Sequence, residues 1–349
     1  MKGEVGAFGK RLVEWFAREG RDYPWRQTED AYAILVSEVM LQQTQIATVL
    51  GPKRYYERWM EAFPTVEDLA GADEASVLKQ WEGLGYYSRA RNLWRAAQVV
   101  VAEHGGEFPR ATAAIEKLPG VGRYTAGAVA SFAYDACEPI VDGNVARVFA
   151  RLFDYREAVD GPAGRKQMWV WAEALLPESG GAQVYNSALM ELGQRICTVK
   201  GPRCGECPVS RSCLGKDGEP EALPVKVARR KSVKVDENVV WAVREADRGH
   251  REVLLVREES GRRRKGLWRL PEREVEGMEG LLEMKYSITH HRVTLRVYRM
   301  DGLGAGRLRE GEAWVAWAEM ESLPMAAPYR KAVERIIRME ETELALGGS

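Results

Sequence analysis

Two carboxylates stand in settings suited to acid and base chemistry. Glu38 lies in AYAILVSEVML and, at helical spacing, shares a face with Ile34 and Leu41, which sets its carboxyl group in an apolar stripe. Desolvation there raises a carboxyl pKa and keeps it protonated near neutrality, as a general acid requires. The plainer reading is a glutamate at the edge of the buried face with its head in water. Asp142 heads the segment VDGNV and can cap the helix that follows. Cap N–H groups keep a carboxylate ionised, so capping and catalysis do not compete there. Gln42, Gln43, Thr44 and Gln45 come directly after the Glu38 segment, four polar residues where a helix should be half buried. They read as a face turned to a ligand, and amides suit the edges of bases.

Upstream of Asp142, Leu118-Pro119-Gly120-Val121-Gly122 joins two helical patterns. Pro119 ends the run from Thr112 to Lys117, because its ring fixes φ and it has no N–H to donate. Gly120 and Gly122 permit the positive φ of a tight turn and hold no Cβ against a ligand. The Ala-rich run Arg123 to Phe132 then starts a helix whose free N–H groups form an anion site, able to take a phosphate without reading its base. Taken alone, PGVG favours an ordinary connection between helices, and the rest of the chain tips the balance.

Cys197, Cys204, Cys207 and Cys213 follow with spacings x6, x2 and x5. Four-cysteine zinc sites show two close pairs and this loop has one, whereas an iron–sulfur cube tolerates uneven spacing. Lys200, Arg203 and Arg211 lie between these residues and would present cations to phosphate. Cys137, alone at a helix–loop junction, reads as a small core hydrophobe.

The elements that must position these groups follow from pattern and composition. A chain of 349 residues holds two domains, and 45% hydrophobic with 29% charged residues describes a soluble globular protein. Lys and Arg total 51 against 51 Asp and Glu, which argues against non-specific coating of DNA and leaves room for a local basic face. Arg89, Arg91 and Arg95, interleaved with Tyr86, Tyr87 and Trp94, offer one. The N-terminus is an amphipathic helix pattern (Phe8, Leu12, Trp15, Phe16) and no signal peptide, and no apolar run is long enough for a membrane span. Five cysteines, four of them clustered, suit metal ligation in a reducing cytoplasm rather than disulfides. Residues 1–222 form an all-α domain in which Asp30 caps a helix running through to Val49; 223–237 is a basic linker; 238–349 is α+β. VVWAVRE, EVLLVRE, YSITHH and VTLRVYRM read as strands, and a last helix, Tyr329 to Met339, follows Pro328.

The hairpin LPGVGRYTA, the VDGNV aspartate and the cysteine loop together resemble the helix-hairpin-helix base-excision glycosylases. SEVMLQQTQ, GLGYYSRARN and the trailing β-rich region narrow the resemblance to adenine DNA glycosylases of the MutY type, over most of 1–215 and more loosely over 238–345. The resemblance implies a cytoplasmic, nucleoid-associated monomer that acts on duplex DNA containing 8-oxoguanine:A or G:A mispairs, with no membrane role. It implies that Glu38 protonates a flipped adenine, Asp142 stabilises the cationic sugar directly or through a transient covalent bond, and Asn144 hydrogen-bonds beside it. Gln43, Leu84 and Tyr86 match positions that wedge into the base stack, Gly120 and Gly122 hold the backbone, and Cys197, Cys204, Cys207 and Cys213 hold a [4Fe-4S] cluster. Tyr124 stands where the related endonuclease III type carries a lysine. A phenol forms no Schiff base, so a monofunctional enzyme is implied.

Residues 238–345 resemble the family's Nudix-like lesion-recognition domain, GLWRLPE matching one of its strands. No REUxEExG box follows, so the domain reads as a binding module rather than a pyrophosphatase. Ile288-Thr289-His290 occupies the place of a Phe-Ser-His loop, with Thr289 and His290 as lesion contacts; the plainer reading is a strand with paired histidines facing solvent. The span between GLWRLP and this loop is short, lacking a helix, and Leu50–Arg54 reads as an insertion in a helix-connecting loop. Two other functions share these features: a glycosylase for thymine or uracil opposite guanine, and a DNA-binding protein without activity. SEVMLQQT speaks for adenine, and the presence of both Glu38 and Asp142 speaks for an enzyme.

Overall fold

α1 (Lys2–Glu19) turns Phe8, Leu12 and Trp15 inward on one stripe, as its amphipathic pattern requires. α2 (Ala31–Leu41) starts where expected: the Asp30 side chain accepts the Tyr32 N–H at 2.9 Å. It differs from expectation in two ways. Every residue from Ala31 to Met40 is buried, so Glu38 sits on a central helix enclosed on all sides rather than in a stripe. The helix also stops at Leu41 instead of running to Val49, because Gln43 turns into the left-handed region at φ 59°. The single turn α3 (Ile46–Val49) follows, so Gln42 to Gln45 form a turn rather than a helix face.

Further along lie α4 (Tyr55–Ala62), α5 (Val66–Gly71), α6 (Glu74–Gln80), α7 (Ser88–His104) and α8 (Thr112–Ile115). Residues 50–54 form the loop before α4, as the reading of an insertion in a connecting loop anticipated. α9 (Arg123–Tyr134), α10 (Gly143–Leu152), α11 (Pro162–Leu175) and α12 (Ala182–Arg195) complete the helical part. Phe8 and Leu12 of α1 pack with Val148 and Phe149 of α10, Met168 of α11 and Leu189 and Leu192 of α12 in one apolar core. Cys197, Cys207 and Cys213 pack against its edge.

Among the described residues seven strands follow: β1 (Val233–Trp241), β2 (Val243–Glu245), β3 (Arg251–Arg257), β4 (Trp268–Arg269), β5 (Gly280–Ile288), β6 (His291–Arg299) and β7 (Glu312–Ala316). β6 pairs parallel with β1 and antiparallel with β5, while β3 pairs antiparallel with β2, β4 and β7. β1 therefore begins inside the segment read as linker. Pro271 to Glu279 form turns and a bridge without a helix, consistent with the short span noted in the sequence. α13 (Trp317–Met320) and α14 (Ala327–Gly347) end the chain.

The computed structural model describes residues 2–228, 231–246, 250–260, 264–301 and 308–347, which leaves Arg229 and Arg230 of the basic linker outside. The chain divides into two compact units: Met1–Val49, Thr65–Ala70 and Arg95–Arg229 form one, and Leu50–Pro64, Gly71–Trp94 and Arg230–Ser349 the other. Helical residues 50–64 and 71–94 thus group with the strands, although a linear division would put them with the first 222 residues. Among the described residues no helix is long and apolar enough to cross a membrane.

Candidate active site

Three helices of the first unit bring Glu38, Tyr124 and Asp142 together. The Tyr124 hydroxyl donates to Glu38 Oε2 at 2.7 Å, and Asp142 is near enough to act on both groups electrostatically. Burial pushes the Glu38 carboxyl up to about 7; Tyr124 pulls it down, Asp142 pushes it up, and Arg26 pulls it down. The Tyr124 hydroxyl is itself raised well above its ordinary value by burial and by the two carboxylates.

Asp142 is the N-cap of α10, accepting the Val145 N–H at Oδ1 (2.7 Å) and Asn144 Nδ2 at Oδ2 (2.8 Å). Burial nevertheless raises its pKa, while Val145, Asn144 and Arg147 oppose the rise. Capping alone pointed to a carboxylate held down; desolvation outweighs it here. Asn144 is oriented in turn by Arg147, whose NH2 donates to Asn144 Oδ1 at 2.9 Å and to the Gly193 carbonyl at 2.6 Å. Gly193 is required by close approach: a Cβ there would lie 2.7 Å from the Cβ of Asn144.

Two cavities meet at Glu38. One of about 1080 Å³ is lined by Tyr124, Asp142, Asn144 and the Gln42–Gln45 turn, with Gln43 exposed at its edge. The other, about 560 Å³, is lined by Tyr23, Trp25, Arg26, Ser37 and Gln183. Sequence reading missed this second wall. Pro24-Trp25-Arg26 forms a short turn, and nothing local in the sequence links it to Glu38.

The hairpin heads α9 as expected, but its two glycines differ. Gly120 is left-handed at φ 77°, whereas Gly122 is an extended N-cap at φ −108° without a side-chain cap. Only Gly120 needs to be glycine for its backbone; at Gly122 an added Cβ would meet open space, which leaves the α9 N–H groups approachable.

At the other end of α10, Arg151 NH1 donates to Cys197 Sγ at 3.3 Å and to the Thr198 carbonyl at 2.6 Å, and the Cys213 thiol donates to the Arg151 carbonyl. The four cysteines lie in mutual electrostatic range, and burial with the neighbouring thiols pushes Cys207 up to about 11. Among the described residues no group of three or more His, Cys, Asp or Glu side chains is poised to hold a single metal ion. Arg203 is engaged by Glu206 at 2.9 Å, while Lys200 and Arg211 are exposed. Cys137 is exposed in the loop after α9, not in the core, because the chain there runs irregularly along the surface.

Arg89 and Arg91 of the second unit do not contribute to the expected basic face. Arg91 is buried against Glu74 (2.5 Å) and the Lys265 carbonyl, and Arg89 is buried against the Leu84 and Gly85 carbonyls, so only Arg95 of the three is exposed. Leu84 is buried as well, whereas Tyr86 is 46% exposed at φ 49° beneath the Arg89 guanidinium. Thr289, at φ 56°, is exposed in the β5–β6 turn, and the rings of His290 and His291 lie 4.1 Å apart.

Residues 36–173 match the HhH-GPD superfamily of base excision DNA repair proteins. The chain is 46% identical over 222 residues to the adenine DNA glycosylase of Homo sapiens, an alignment that covers 61% of this chain and 40% of that protein. It is 42% identical over 220 residues to the adenine DNA glycosylase of Mycolicibacterium smegmatis, covering 63% and 72%. Against the mammalian relatives the alignment thus spans under half of their length. Among solved structures, a thermostable thymine-DNA glycosylase superposes with TM-score 0.55 at 31% identity, covering 62% of this chain and 98% of that one. An endonuclease III in complex with DNA shares the fold, with TM-score 0.52 at 23% identity over 62% and 96%. By these relationships the chain belongs to the adenine DNA glycosylase family of the HhH-GPD superfamily.

Proposed function

We propose that this protein is a monofunctional glycosylase that hydrolyses the N-glycosidic bond of adenine mispaired with 8-oxoguanine or guanine in duplex DNA. The observation that carries this reading is Glu38 at the meeting of two cavities, bonded to Tyr124 and facing the field of Asp142. The cavity walled by Trp25 and Arg26 has room for a flipped purine, and the larger one takes its sugar and phosphates. With its pKa near 7, Glu38 holds a proton over a useful fraction of molecules at neutral pH and gives it to a ring nitrogen of the base. The C–N bond then breaks, its electron pair leaving with the protonated base. Asp142, braced by Val145 and Asn144, offers negative charge to the cationic sugar. Water adds hydroxide to the sugar carbon, and its proton restores Glu38. Tyr124 has no amine to attack the sugar, so the strand stays intact.

The chemistry of the donor set suits a [4Fe-4S] cluster: four thiols of one loop interact electrostatically, three of them against an apolar edge and one beside the Arg151 guanidinium. Cys197, Cys204, Cys207 and Cys213 would hold it, and when bound it ties the loop after α12 into a fixed shape. The second unit is read as a Nudix-like module that recognises 8-oxoguanine through Thr289 and His290, supported by their place at an exposed hairpin tip. Duplex DNA is the partner, and the enzyme works as a cytoplasmic monomer.

One assay tests the reading: duplexes with A or T opposite 8-oxoguanine, G or C, treated with and without alkali. Adenine release, with strand breaks only after alkali and no borohydride-trapped adduct, is expected. The likeness to a thymine-DNA glycosylase gives a second reading, removal of thymine opposite guanine. Release of thymine without adenine would establish that instead.

A further inference from the structure

We propose that Glu191 is a positioning residue of the glycosylase site: it fixes the Arg26 guanidinium in the wall of the smaller cavity, which Glu38 also lines. The inference rests on the reading of Glu38 as the acid.

α12 carries Glu191 into the interior, where its side chain is fully buried. Oε2 accepts Arg26 NH1 at 3.0 Å. Oε1 makes no hydrogen bond; Arg195 NH1 stands 3.6 Å and Arg21 Nε 4.0 Å away. A buried carboxylate with half of its acceptor capacity unused is a poor stabiliser, since desolvation of an ion pair offsets most of its attraction. What the carboxylate accomplishes is placement. Arg26 NH1 also donates to the Arg21 carbonyl at 2.7 Å, and its guanidinium lies over the rings of Phe16 (5.1 Å) and Tyr23 (4.8 Å). Arg26 is thereby confined beside the cavity that Glu38 also lines.

The charged and titratable groups acting on Glu38 come from three directions: Tyr124 from α9, Asp142 from the head of α10, and Arg26 from the turn before α2, with Arg21 and Tyr23 lining the same cavities. Arg26 pulls against burial and Asp142. Without Glu191 the guanidinium keeps only the Arg21 carbonyl and the two rings, its placement loosens, that pull weakens, and Glu38 holds its proton to higher pH. The direction is diagnostic. Loss of a nearby negative charge would by itself favour ionised Glu38 and lower its pKa, so a rise must come through Arg26.

The test is a 13C NMR titration of the Glu38 carboxyl in the full, DNA-free chain, beside pH profiles of single-turnover base release. Glu191→Gln and Arg26→Met should each raise the Glu38 midpoint by roughly a few tenths of a pH unit, Arg26 being the weakest of the groups that act on Glu38. The double variant should go no further than Arg26→Met, Glu191→Asp should return most of the shift, and the alkaline limb of base release should move in step. An unmoved or lowered midpoint in Glu191→Gln, or full addition in the double variant, overturns the proposal. Should Glu191→Gln not fold, Arg26→Met and Glu191→Asp carry the test, and a midpoint unmoved in both overturns it. Absence of base release by the wild type would defeat the functional reading alone, because the titration does not depend on turnover.

Discussion

The Tyr124 hydroxyl reaches Glu38 Oε2 at 2.7 Å across 86 residues of chain, tying the hairpin helix to the carboxyl group at the centre of the site. Position 124 presents a hydroxyl donor that limits how far burial raises the Glu38 carboxyl.

Tyr124→Phe removes that donor while keeping the ring. Burial and the Asp142 charge then act on Glu38 with only Arg26 against them, so Glu38 should titrate above its value of about 7. The alkaline limb of base release should move to higher pH, with stability reduced by about 1–2 kcal/mol for the lost bond to a buried carboxyl. A pH profile that stays in place counts against the tempering role.

The same carboxyl makes stability depend on pH in a definite direction. Glu38 is raised from 4.5 to about 7 in the fold, so its contribution is complete below the unfolded-state value and is lost as pH rises through about 7. Asp142, also raised, acts in the same sense. The loss attributable to Glu38 is on the order of 3 kcal/mol. Glu38→Gln, which has no charge to bury, should release no base yet melt higher than the wild type at pH 8, with the gap closing towards pH 5. Equal melting curves across that range would contradict this account.

Asn144 and Gly193 offer a test of geometry without touching either carboxylate. Gly193→Ala would press a methyl group into Asn144, disturbing its 2.8 Å bond to Asp142. Base release should slow by about tenfold or more, as expected when a supporting hydrogen bond of roughly 1–2 kcal/mol is misaligned. Binding of the duplex should persist, and Asn144→Ala should behave alike. Loss of binding in step with the rate would mean that α10 and α12 had come apart instead.

Purified protein should be brown, with broad visible absorption and about four irons per chain. Cys207→Ser should lower iron content and melting temperature together, since Arg151 joins the loop to α10 through Cys197 and Thr198. Colourless protein carrying zinc would refute the cluster.

Glu38, Asp142 and the Asp30 cap were legible because capping and helical periodicity are relations between residues a few places apart, whereas Asn144 entered only through the family resemblance. The strands were legible for the same reason. The end of α2 was not: Ala31 to Val49 is helix-forming throughout by pattern, and only the left-handed turn at Gln43 breaks it. The arginines of GLGYYSRARN misled for a related cause. Charge on a sequence says nothing of direction, and Arg91 turns inward because Glu74 is there to receive it.

By itself, then, the sequence determined which chemical groups are available and which local elements carry them, including the phenol at 124 that excludes an amine. The tertiary structure alone decided that Glu38 is enclosed on every side, that Arg26 faces it from a cavity wall, and that Glu191 holds Arg26 there. These are matters of burial and of contact between distant segments, 165 residues apart for Arg26 and Glu191. Desolvation, the largest influence on both carboxyl groups, exists only once those segments have closed around them.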